Sequence, residues 1–484
     1  MVSIIVGWLL FVFTVWGSGF VALRPFSLLR TERMALGFVV GATLLPFLLF
    51  LINTITHLSV LGQGDGGFLF TVLLVIMIFL LLFIEVFSKR RKNAETHTAT
   101  REGLISPFTN ILRLVLWLSL VVFFYLVVQG VTKPIYGWDE FSYWLYAAKL
   151  LYLSGGASTA LHHDLYSSYP LGFPYLVAWC YHFIEMASVS AAKWISPMIT
   201  LASMIVMNRA MVRSGVRPVN ALLGVALFAW GTYYMLFYNW VAFGEMIYVD
   251  TYGIATLYAA LWLREKRTTD FMLAMLVLGL STFLRVDGAY IAIFTLVILF
   301  ISNWKSKQEI SFKQGAVGLL VVAIPIAAWY LFRFAFHLDS GWTTRISIAV
   351  IMARLQPPVL PGLLGSMWAT ISNIGNYPID LLLPLLIIAL PFSKRRDVFF
   401  LAFVSVVQLI YLFVAYLTVF TTFEAMHASS LPRYMLRNDP LIAIAFTLLI
   451  SGKSQWKGFR HKKKPATGTA VSRKGKKRVS EAAP

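Results

Sequence analysis

Charged residues are scarce in this sequence of 484 residues. They make up 13% of it, whereas they make up about a quarter of a typical soluble domain. Hydrophobic residues make up 59%, and the mean hydropathy is +0.75. The apolar residues fall in runs such as 114–128 and 315–332, which with their flanks can cross the ~30 Å hydrocarbon core of a bilayer. The shortage of charge therefore excludes a soluble protein and indicates a polytopic membrane protein.

Cysteine and phosphate-binding motifs are scarce as well. The single cysteine, Cys180, excludes an internal disulfide and a cysteine metal cluster. The glycine-rich stretch 62–67 has no strand before it and no lysine after it, and no P-loop or Rossmann pattern occurs elsewhere. The absence of these phosphate-binding motifs argues against a nucleotide bound on the cytoplasmic side.

Acidic residues are few: there are 21 of them against 41 lysines and arginines, a formal net charge of +20. The basic residues form short clusters between apolar runs and a basic tail over 453–478. Cytoplasmic loops of membrane proteins carry such clusters, and anionic lipid head groups attract them. We therefore expect the lipid bilayer, and not a nucleic acid, as the partner of these residues.

The apolar runs predict an all-α fold. Only helices and closed barrels satisfy their backbone hydrogen bonds in lipid, and barrel strands alternate over ~10 residues, unlike these longer, uniform runs. We predict a polytopic helical protein of about 13 spans, with amphipathic juxtamembrane helices in its first large outer loop. The first run lacks a basic flank and a clear cleavage site, so we interpret it as a retained span. The predicted spans lie near 2–22, 34–54, 68–87, 111–130, 194–212, 219–238, 246–263, 271–284, 289–303, 315–336, 380–392, 398–420 and 441–452.

The basic linkers predict the orientation of these spans. With the spans above, every basic linker lies on the same side as the basic tail, which is the cytoplasmic side. This holds only if the apolar segment 171–185 does not cross the membrane, so we interpret it as a juxtamembrane or re-entrant helix that begins near Pro170 and Pro174. The expected location is a plasma or inner membrane. The long outer connections are then 131–170, 337–379 and 421–439.

The first outer connection carries the leading candidate residues. It contains KPIYGWDEFSYWLYAAKLLY, which places Asp139 and Glu140 shortly after a span and ahead of an amphipathic helix. It ends with SSYPLGFPYLVAW, which contains Tyr169. From the spacing alone, the two acids either serve an active site or face water at the start of an interfacial anchor helix.

The order of these segments resembles that of the GT-C class of glycosyltransferases. These multi-span enzymes use a sugar linked to a polyprenyl phosphate, and they include protein O-mannosyltransferases and aminoarabinose transferases. Three later segments are similar to family segments in the same order: GEMIYVDTYGIATLYAALWL around Asp250, FLRVDGAYIAI with Arg285, and LPRYMLRNDPLIAIAF with Arg433. The resemblance covers about residues 107–450. The single proline after Tyr169 departs from the family's frequent pair.

The resemblance implies roles for individual residues. Asp139 takes the place of the family's base, a role worth roughly 10²–10⁴-fold in rate, and Glu140 is a supporting acid or metal contact. Arginine suits the departing phosphate because its planar fork contacts two oxygens and stays charged when partly desolvated. The implied anomeric product is inverted. The predicted phosphate-binding residues are Arg433, Arg437, Arg285 and Lys149, with Arg345 as a further candidate on the outer face.

Several of these residues have a second interpretation. Arg437 and Lys149 either bind the phosphate or snorkel from a span end, and Asp287 either serves the site or pairs with Arg285. The triplet 162–164 either binds a metal ion or forms a solvated acceptor contact, since adjacent side chains seldom ligate one ion. A requirement for a divalent metal ion is left open, and no other cofactor is predicted. The predicted substrate-binding residues are Tyr169, Asp250, Glu245 and His163.

The sequence thus predicts a membrane glycosyltransferase that moves a sugar from a polyprenyl-phosphate donor to a glycan, lipid or protein acceptor on the extracytoplasmic face. The alternative is a transporter or flippase for a lipid-linked sugar, which predicts charged residues and broken helices at mid-span. A non-enzymatic assembly subunit would not need ordered acids. The predicted parts are N-terminal spans without an assigned role (1–106), a GT-C-like catalytic module (107–452) and a disordered basic cytoplasmic tail (453–484).

Overall fold

The computed structural model describes residues 2–56, 107–134, 139–154, 156, 169–303, 311–338, 347–373, 375–393, 395–427 and 430–451. As predicted, this part of the chain is all-helical and contains no strand. A π-helical turn covers Glu140–Trp144 and a 3₁₀ turn covers Pro378–Leu381. The α-helices are α1 (Val2–Ala22), α2 (Arg30–Thr56), α3 (Pro107–Val131), α4 (Leu145–Ser154), α5 (Gly172–Ile184), α6 (Val189–Lys193), α7 (Ile195–Arg213), α8 (Pro218–Trp230), α9 (Tyr233–Trp240), α10 (Gly244–Glu265), α11 (Thr268–Ser281), α12 (Gly288–Asn303), α13 (Phe312–Ala335), α14 (Ile348–Arg354), α15 (Val359–Ile371), α16 (Leu382–Ser393), α17 (Arg396–Thr418), α18 (Thr422–His427), α19 (Leu431–Met435) and α20 (Asn438–Ile450).

Many of these helices are suited to a membrane. Seven are long and apolar enough to cross one, and the count rises to nine if each of two bent helix pairs is one span. Helices α11 and α12 and the segment Pro378–Pro391 are apolar but shorter. The chain is therefore a multi-pass helical membrane protein. The count of about 13 spans stays a prediction, and the span near 68–87, the glycine-rich stretch and the basic tail lie outside the described residues.

One predicted span is broken. The segment near 219–238 forms two helices, α8 and α9, which meet at an angle of 69°. Thr232 at the break has an extended backbone, and its hydroxyl accepts a hydrogen bond from the N–H of Met235, which caps α9. The N–H of Tyr233 donates outside the helix, to the carbonyl of Asn376 (3.0 Å). Partners from a distant segment thus replace the helical hydrogen bonds at this point, which hydropathy does not reveal.

Helix α10 is the central element of the bundle. All of its residues from Gly244 to Leu263 are buried. Its hydroxyls are compatible with this environment because Thr251 and Thr256 donate to carbonyls one turn back, at distances of 2.7 and 3.1 Å. Gly253 allows close approach of α20, since an added Cβ would lie 2.7 Å from the ring of Pro440. Helix α10 therefore links two ends of the bundle through its interior.

The first two helices pack tightly against each other and against α5. Gly41 permits the close approach of α1 and α2, because an added Cβ would lie 1.7 Å from the carbonyl oxygen of Val15. Trp179 of α5 donates to Thr14 at 3.0 Å, and Tyr175 donates to Asn53 at 3.1 Å. The predicted helix over 171–185 is thus present and almost fully buried. Its re-entrant placement stays a prediction.

Buried charges join four helices in what we call the Arg213 cluster, formed by Glu32, Arg213, Tyr258 and Asp270. Arg213 at the end of α7 lies 3.1 Å from Glu32 and 2.7 Å from Asp270, which begin α2 and α11. Tyr258 of α10 donates to Glu32 at 2.9 Å. None of the hydrogen-bonding atoms of these four side chains lacks a partner in the described structure. The cluster therefore ties the helices together without a free polar atom.

Candidate functional site

Six charged side chains and one tyrosine meet at the other end of α10. They come from helix ends: the start of α10, the turn between α11 and α12, the residue before the π-helical turn, and the segment from α19 to α20. Sequence motifs that lie far apart along the chain are thereby brought together. We call this group the Tyr434 cluster; its members are Asp139, Glu245, Arg285, Asp287, Arg433, Tyr434 and Arg437.

Ion pairs join Asp139, Arg433 and Glu245 at the more exposed end of the Tyr434 cluster. Nη1 of Arg433 donates a hydrogen bond to Oδ2 of Asp139 and lies 3.8 Å from Oε1 of Glu245. The side chains of Asp139 and Arg433 are 29% and 17% exposed, whereas that of Glu245 is buried. A molecule that enters the cluster from solvent therefore meets Asp139 and Arg433 first.

Arg285, Asp287 and Arg437 form the buried end. Nη1 of Arg285 donates to Oε1 of Glu245, and its Nε lies 3.3 Å from Oδ1 of Asp287. Oδ2 of Asp287 lies 2.6 Å from Nη2 of Arg437. The charges alternate along the cluster, and three arginines balance three carboxylates. This balance reduces the free-energy cost of burying so many charges, because each has an opposite charge as its neighbour.

The ring of Tyr434 lies close to the guanidinium groups of all three arginines of the cluster. The guanidinium carbons of Arg437, Arg285 and Arg433 lie 4.7, 5.1 and 5.5 Å from the centre of the ring. Cations within about 6 Å of an aromatic face are attracted by its electrons. Tyr434 therefore stabilises positive charge at the centre of the cluster.

Several buried atoms of the Tyr434 cluster have no hydrogen-bond partner in the described structure. They are Nη2 of Arg285, Nε of Arg433, Nη2 of Arg437, which contacts Asp287 as an ion pair without hydrogen-bond geometry, and Oε2 of Glu245. Buried polar atoms are rarely left unpaired, since an unmade hydrogen bond costs about 1–3 kcal/mol and more for a charged group. Three of these four atoms are guanidinium donors, so the cluster has unused capacity to donate hydrogen bonds to an anion.

The ionisation of the cluster follows from its neighbours. Burial raises the pKa of the Asp287 carboxyl, but the charges of Arg437 and Arg285 and their hydrogen bonds outweigh burial and lower it. Burial lowers the pKa of the Arg433 guanidinium, whereas its neighbours, Tyr434 foremost, raise it well above its ordinary value. Both side chains are therefore charged at neutral pH, which suits the binding of an anionic group.

An apolar cavity borders the cluster. It has a volume of about 200 Å³ and lies between α12 and α17. Asp287 and Tyr434 lie at its polar end, and apolar and aromatic side chains such as Tyr411, Ala415 and Phe420 form its walls. An anion-binding group of charges is thus adjacent to space that suits a hydrocarbon chain.

Asp250, a predicted substrate-binding residue, is not in contact with the Tyr434 cluster. It lies five residues after Glu245 in α10, a rise of roughly 7.5 Å along the helix. Its Oδ2 accepts a hydrogen bond from Thr200 at 2.7 Å, and Thr200 also lies 2.9 Å from Asn239. Asp250 therefore belongs to a separate buried polar group.

The remaining predicted residues are placed as follows. Lys149 is exposed on α4 and forms no ion pair in the described structure. The ring of Tyr169 packs on those of Tyr143 and Trp144, with centroids 5.1 and 5.9 Å apart, and burial raises the pKa of its hydroxyl well above the ordinary value. Glu140 directly follows Asp139, in the π-helical turn. His163 and Arg345 lie outside the described residues.

Sequence reasoning missed Tyr434. Its signal was the spacing of Arg433, Tyr434 and Arg437, because residues four apart in a helical segment lie on one face.

We also searched the described residues for a metal centre made of acids, histidines and cysteines. Among the residues in the described ranges, no group of three or more His, Cys, Asp or Glu side chains is arranged to hold a metal ion.

In comparisons with protein-family models, with curated proteins and with solved structures, the chain gave no match. The resemblance to the GT-C class therefore rests on the motifs and their order in the sequence. The chemistry of the Tyr434 cluster is the second, independent ground for a proposal about function.

Proposed function

We propose that this protein is a membrane glycosyltransferase that transfers a sugar from a polyprenyl-phosphate donor to an acceptor at the Tyr434 cluster, on the extracytoplasmic side. One observation carries the proposal: the contact of Asp139 with Arg433 at the accessible end of a buried group of arginines that have unpaired donors. The pair combines a carboxylate that can accept a proton with a guanidinium that can bind a phosphate.

The phosphate of the donor would bind at Arg433. Its Nε has no partner, and its Nη1 is engaged with the partly exposed Asp139. The donor is a phosphodiester monoanion. When it accepts hydrogen bonds from these nitrogens, one anion replaces another, so Arg433 keeps an opposite charge beside it. Nη2 of Arg285 offers a further donor deeper in the cluster. Donor binding therefore releases the Asp139 carboxylate for chemistry.

Asp139 would then act as the base. The hydroxyl of the acceptor attacks the anomeric carbon, and its proton passes to a carboxylate oxygen of Asp139. The bond between the anomeric carbon and the phosphate oxygen breaks, and its electron pair remains on the polyprenyl phosphate, whose charge the arginines stabilise. The product has inverted configuration because a single displacement occurs. Asp139 afterwards loses its proton to water.

The first isoprene units of the donor's lipid tail, next to the phosphate, would lie in the cavity between α12 and α17. Asp287 and Tyr434 link this cavity of about 200 Å³ to the arginines. A prenyl chain remains in apolar surroundings there while its phosphate reaches the charged cluster. The adjacency of an anion-binding group and an apolar cavity supports a lipid-phosphate donor over a free sugar phosphate.

The test is transfer from a panel of synthetic polyprenyl-phosphate sugars by purified full-length protein. We expect Asp139→Asn to lower kcat by roughly 10²–10⁴-fold and to leave donor binding intact. Glu185→Gln is the matched control, because Glu185 is an exposed acid outside the cluster. Equal turnover by Asp139→Asn and wild type would remove Asp139 from its proposed role.

A transporter for a lipid-linked sugar is the second candidate. Two bent helix pairs, α8–α9 and α14–α15, favour it, because broken helices form the binding sites of many transporters. An assay in liposomes that contain a labelled lipid-linked sugar distinguishes the transporter from the glycosyltransferase. A transporter moves the intact lipid across the bilayer, whereas a glycosyltransferase consumes it only when acceptor is present.

A further inference from the structure

Two segments far apart in the chain converge on the break between α8 and α9. The N–H of Ile379 donates to the carbonyl of Gly231 at 3.1 Å, which ties the 3₁₀ turn Pro378–Leu381 to the break. The hydroxyl of Thr232 donates to Oδ2 of Asp439 at 3.2 Å, which ties the start of α20 to the same point. The break is therefore a junction of three segments.

This junction contains two buried carboxylates, Asp380 and Asp439, which are 7% and 0% exposed. Both oxygens of Asp380 and Oδ1 of Asp439 have no hydrogen-bond partner in the described structure. No lysine, arginine or histidine in the described ranges forms an ion pair with either residue. A Cβ added at Gly231 would lie 3.4 Å from Oδ2 of Asp439 and 3.1 Å from the side chain of Ile379, the residue before Asp380, so the segments that carry the two acids meet at the break. The junction thus contains two buried carboxyl groups that have no positively charged partner among the described residues.

Other groups at the junction also offer oxygen. Asn438, next to Asp439 in the chain, is fully buried, and neither atom of its amide is paired in the described structure. The surroundings of Asp380 and Asp439 therefore supply further oxygen atoms that could act as ligands.

We propose that Asp380 and Asp439 bind a hard divalent cation, such as Ca²⁺ or Mg²⁺, at the junction of α8, α9, the 3₁₀ turn and α20. Isolated buried carboxylates are strongly destabilising, and a divalent ion neutralises both at once. Carboxylate, amide, hydroxyl and carbonyl oxygens are the ligands that Ca²⁺ and Mg²⁺ prefer, whereas Zn²⁺ prefers histidine and cysteine. The proposal does not depend on the glycosyltransferase function.

The bound cation stabilises a junction that leads directly to the Tyr434 cluster. Asp439 follows Arg437 by two residues, and Thr232 caps α9. A cation that holds Asp439 against the break therefore also positions the segment that contains Arg433 and Arg437. It acts as a structural ion and does not contact the reacting atoms.

Terbium luminescence tests the site directly. Tb³⁺ replaces Ca²⁺ at oxygen ligands and emits when a nearby tyrosine is excited. Tyr377 is buried three residues before Asp380, and it stacks on Tyr234 with centroids 5.4 Å apart. For full-length protein stripped with EDTA, we expect saturable luminescence that Ca²⁺ or Mg²⁺ competes away.

Two variants test whether the terbium luminescence comes from an ion bound at Asp380 and Asp439. Asp380→Asn and Asp439→Asn should each weaken Tb³⁺ binding at least about tenfold, since loss even of a residue that supports a metal ligand costs 10–100-fold. Asp397→Asn is the matched control, a buried acid that already has Arg395 as its partner at 2.5 Å. Unchanged Tb³⁺ affinity in the two test variants, or the absence of saturable binding to wild type, would overturn the proposal.

Thermal unfolding of the wild type provides a readout that does not require a folded variant. We expect excess Ca²⁺ or Mg²⁺ to raise the midpoint relative to EDTA, because an ion that binds only the folded state stabilises it. The competing explanation is a proton shared by the two carboxyls. In that case the wild-type midpoint is the same in Ca²⁺, Mg²⁺ and EDTA, and the cation site does not exist.

Discussion

The Arg213 cluster and the Tyr434 cluster are made from similar residues but differ in how completely they are paired. Both combine buried arginines, carboxylates and a tyrosine, and they lie near opposite ends of α10, where Tyr258 and Glu245 are 13 residues, or roughly 20 Å, apart. In the Arg213 cluster every polar atom of the side chains has a hydrogen-bond partner in the described structure, whereas three guanidinium nitrogens and a carboxylate oxygen of the Tyr434 cluster have none.

We interpret this difference as one between a structural cluster and the proposed binding site. A fully paired buried cluster holds helices in place, and any change to it leaves an uncompensated charge. A partly paired cluster is less favourable for stability, but its unused donors are available to a ligand. Exposure agrees with this contrast: Glu32 and Asp270 are completely buried, and Asp139 is 29% exposed. Both clusters contain buried charges, so burial alone does not distinguish the Arg213 cluster from the Tyr434 cluster.

The largest effect on stability is expected from Arg213→Met. The substitution leaves Glu32 and Asp270 buried without their common cation, so the free energy of unfolding should fall by about 3–5 kcal/mol. Chemical or thermal unfolding in detergent measures the loss. Arg209→Met is the matched control, because Arg209 lies one turn earlier in α7 and is exposed. A similar loss in both variants would contradict the structural role of the Arg213 cluster.

Arg433→Lys is expected to have a smaller effect, and on donor binding instead of on stability. The lysine keeps the charge but not the planar fork, so the donor's Kd should rise by about ten- to a hundredfold, the equivalent of one or two charged hydrogen bonds. The thermal midpoint should change little, because Arg433 already lacks a partner at Nε. Binding of a labelled polyprenyl phosphate and thermal unfolding are measured in parallel. A large loss of stability with unchanged binding would make the Tyr434 cluster structural as well.

The smallest effect is a pH dependence at Asp287. Its pKa is lower in the folded protein than in the unfolded chain, so its ionised form stabilises the fold above about pH 4 and this contribution is lost as the pH falls through the folded pKa. The thermal midpoint of the wild type should therefore fall on acidification below about pH 4. In Asp287→Asn the fall should be shallower. Identical slopes in the two proteins would show that Arg285 and Arg437 do not stabilise the Asp287 carboxylate.

The helices and the candidate charges were largely predictable from sequence. Hydropathy located the central helix at 246–263, and the structure has it at Gly244–Glu265. The motif order singled out Asp139, Arg285 and Arg433, which the structure brings into one cluster. These features were accessible because apolar runs are local, and because charges at the ends of such runs lie near the ends of the helices.

The contacts of individual residues could not be predicted where distant segments meet at the same side chain. The role of Asp250 in substrate binding stays a prediction; the sequence did not indicate that Thr200 of α7 donates a hydrogen bond to it. The junction of Asp380 and Asp439 was not foreseen, because Asp380 belongs to no motif and the break that joins the two depends on a hydrogen bond from Tyr233 to Asn376. Pairings of this kind link residues from 50 to more than 200 positions apart.

By itself the sequence determined that this chain is a multi-pass helical membrane protein with acids and arginines at the ends of its helices. The length and uniformity of the apolar runs require this, since unpaired backbone groups are too costly in lipid. Only the tertiary structure decided which charges are fully paired and which keep donors free. That property depends on the distances between side chains from different helices, which no local pattern of residues encodes.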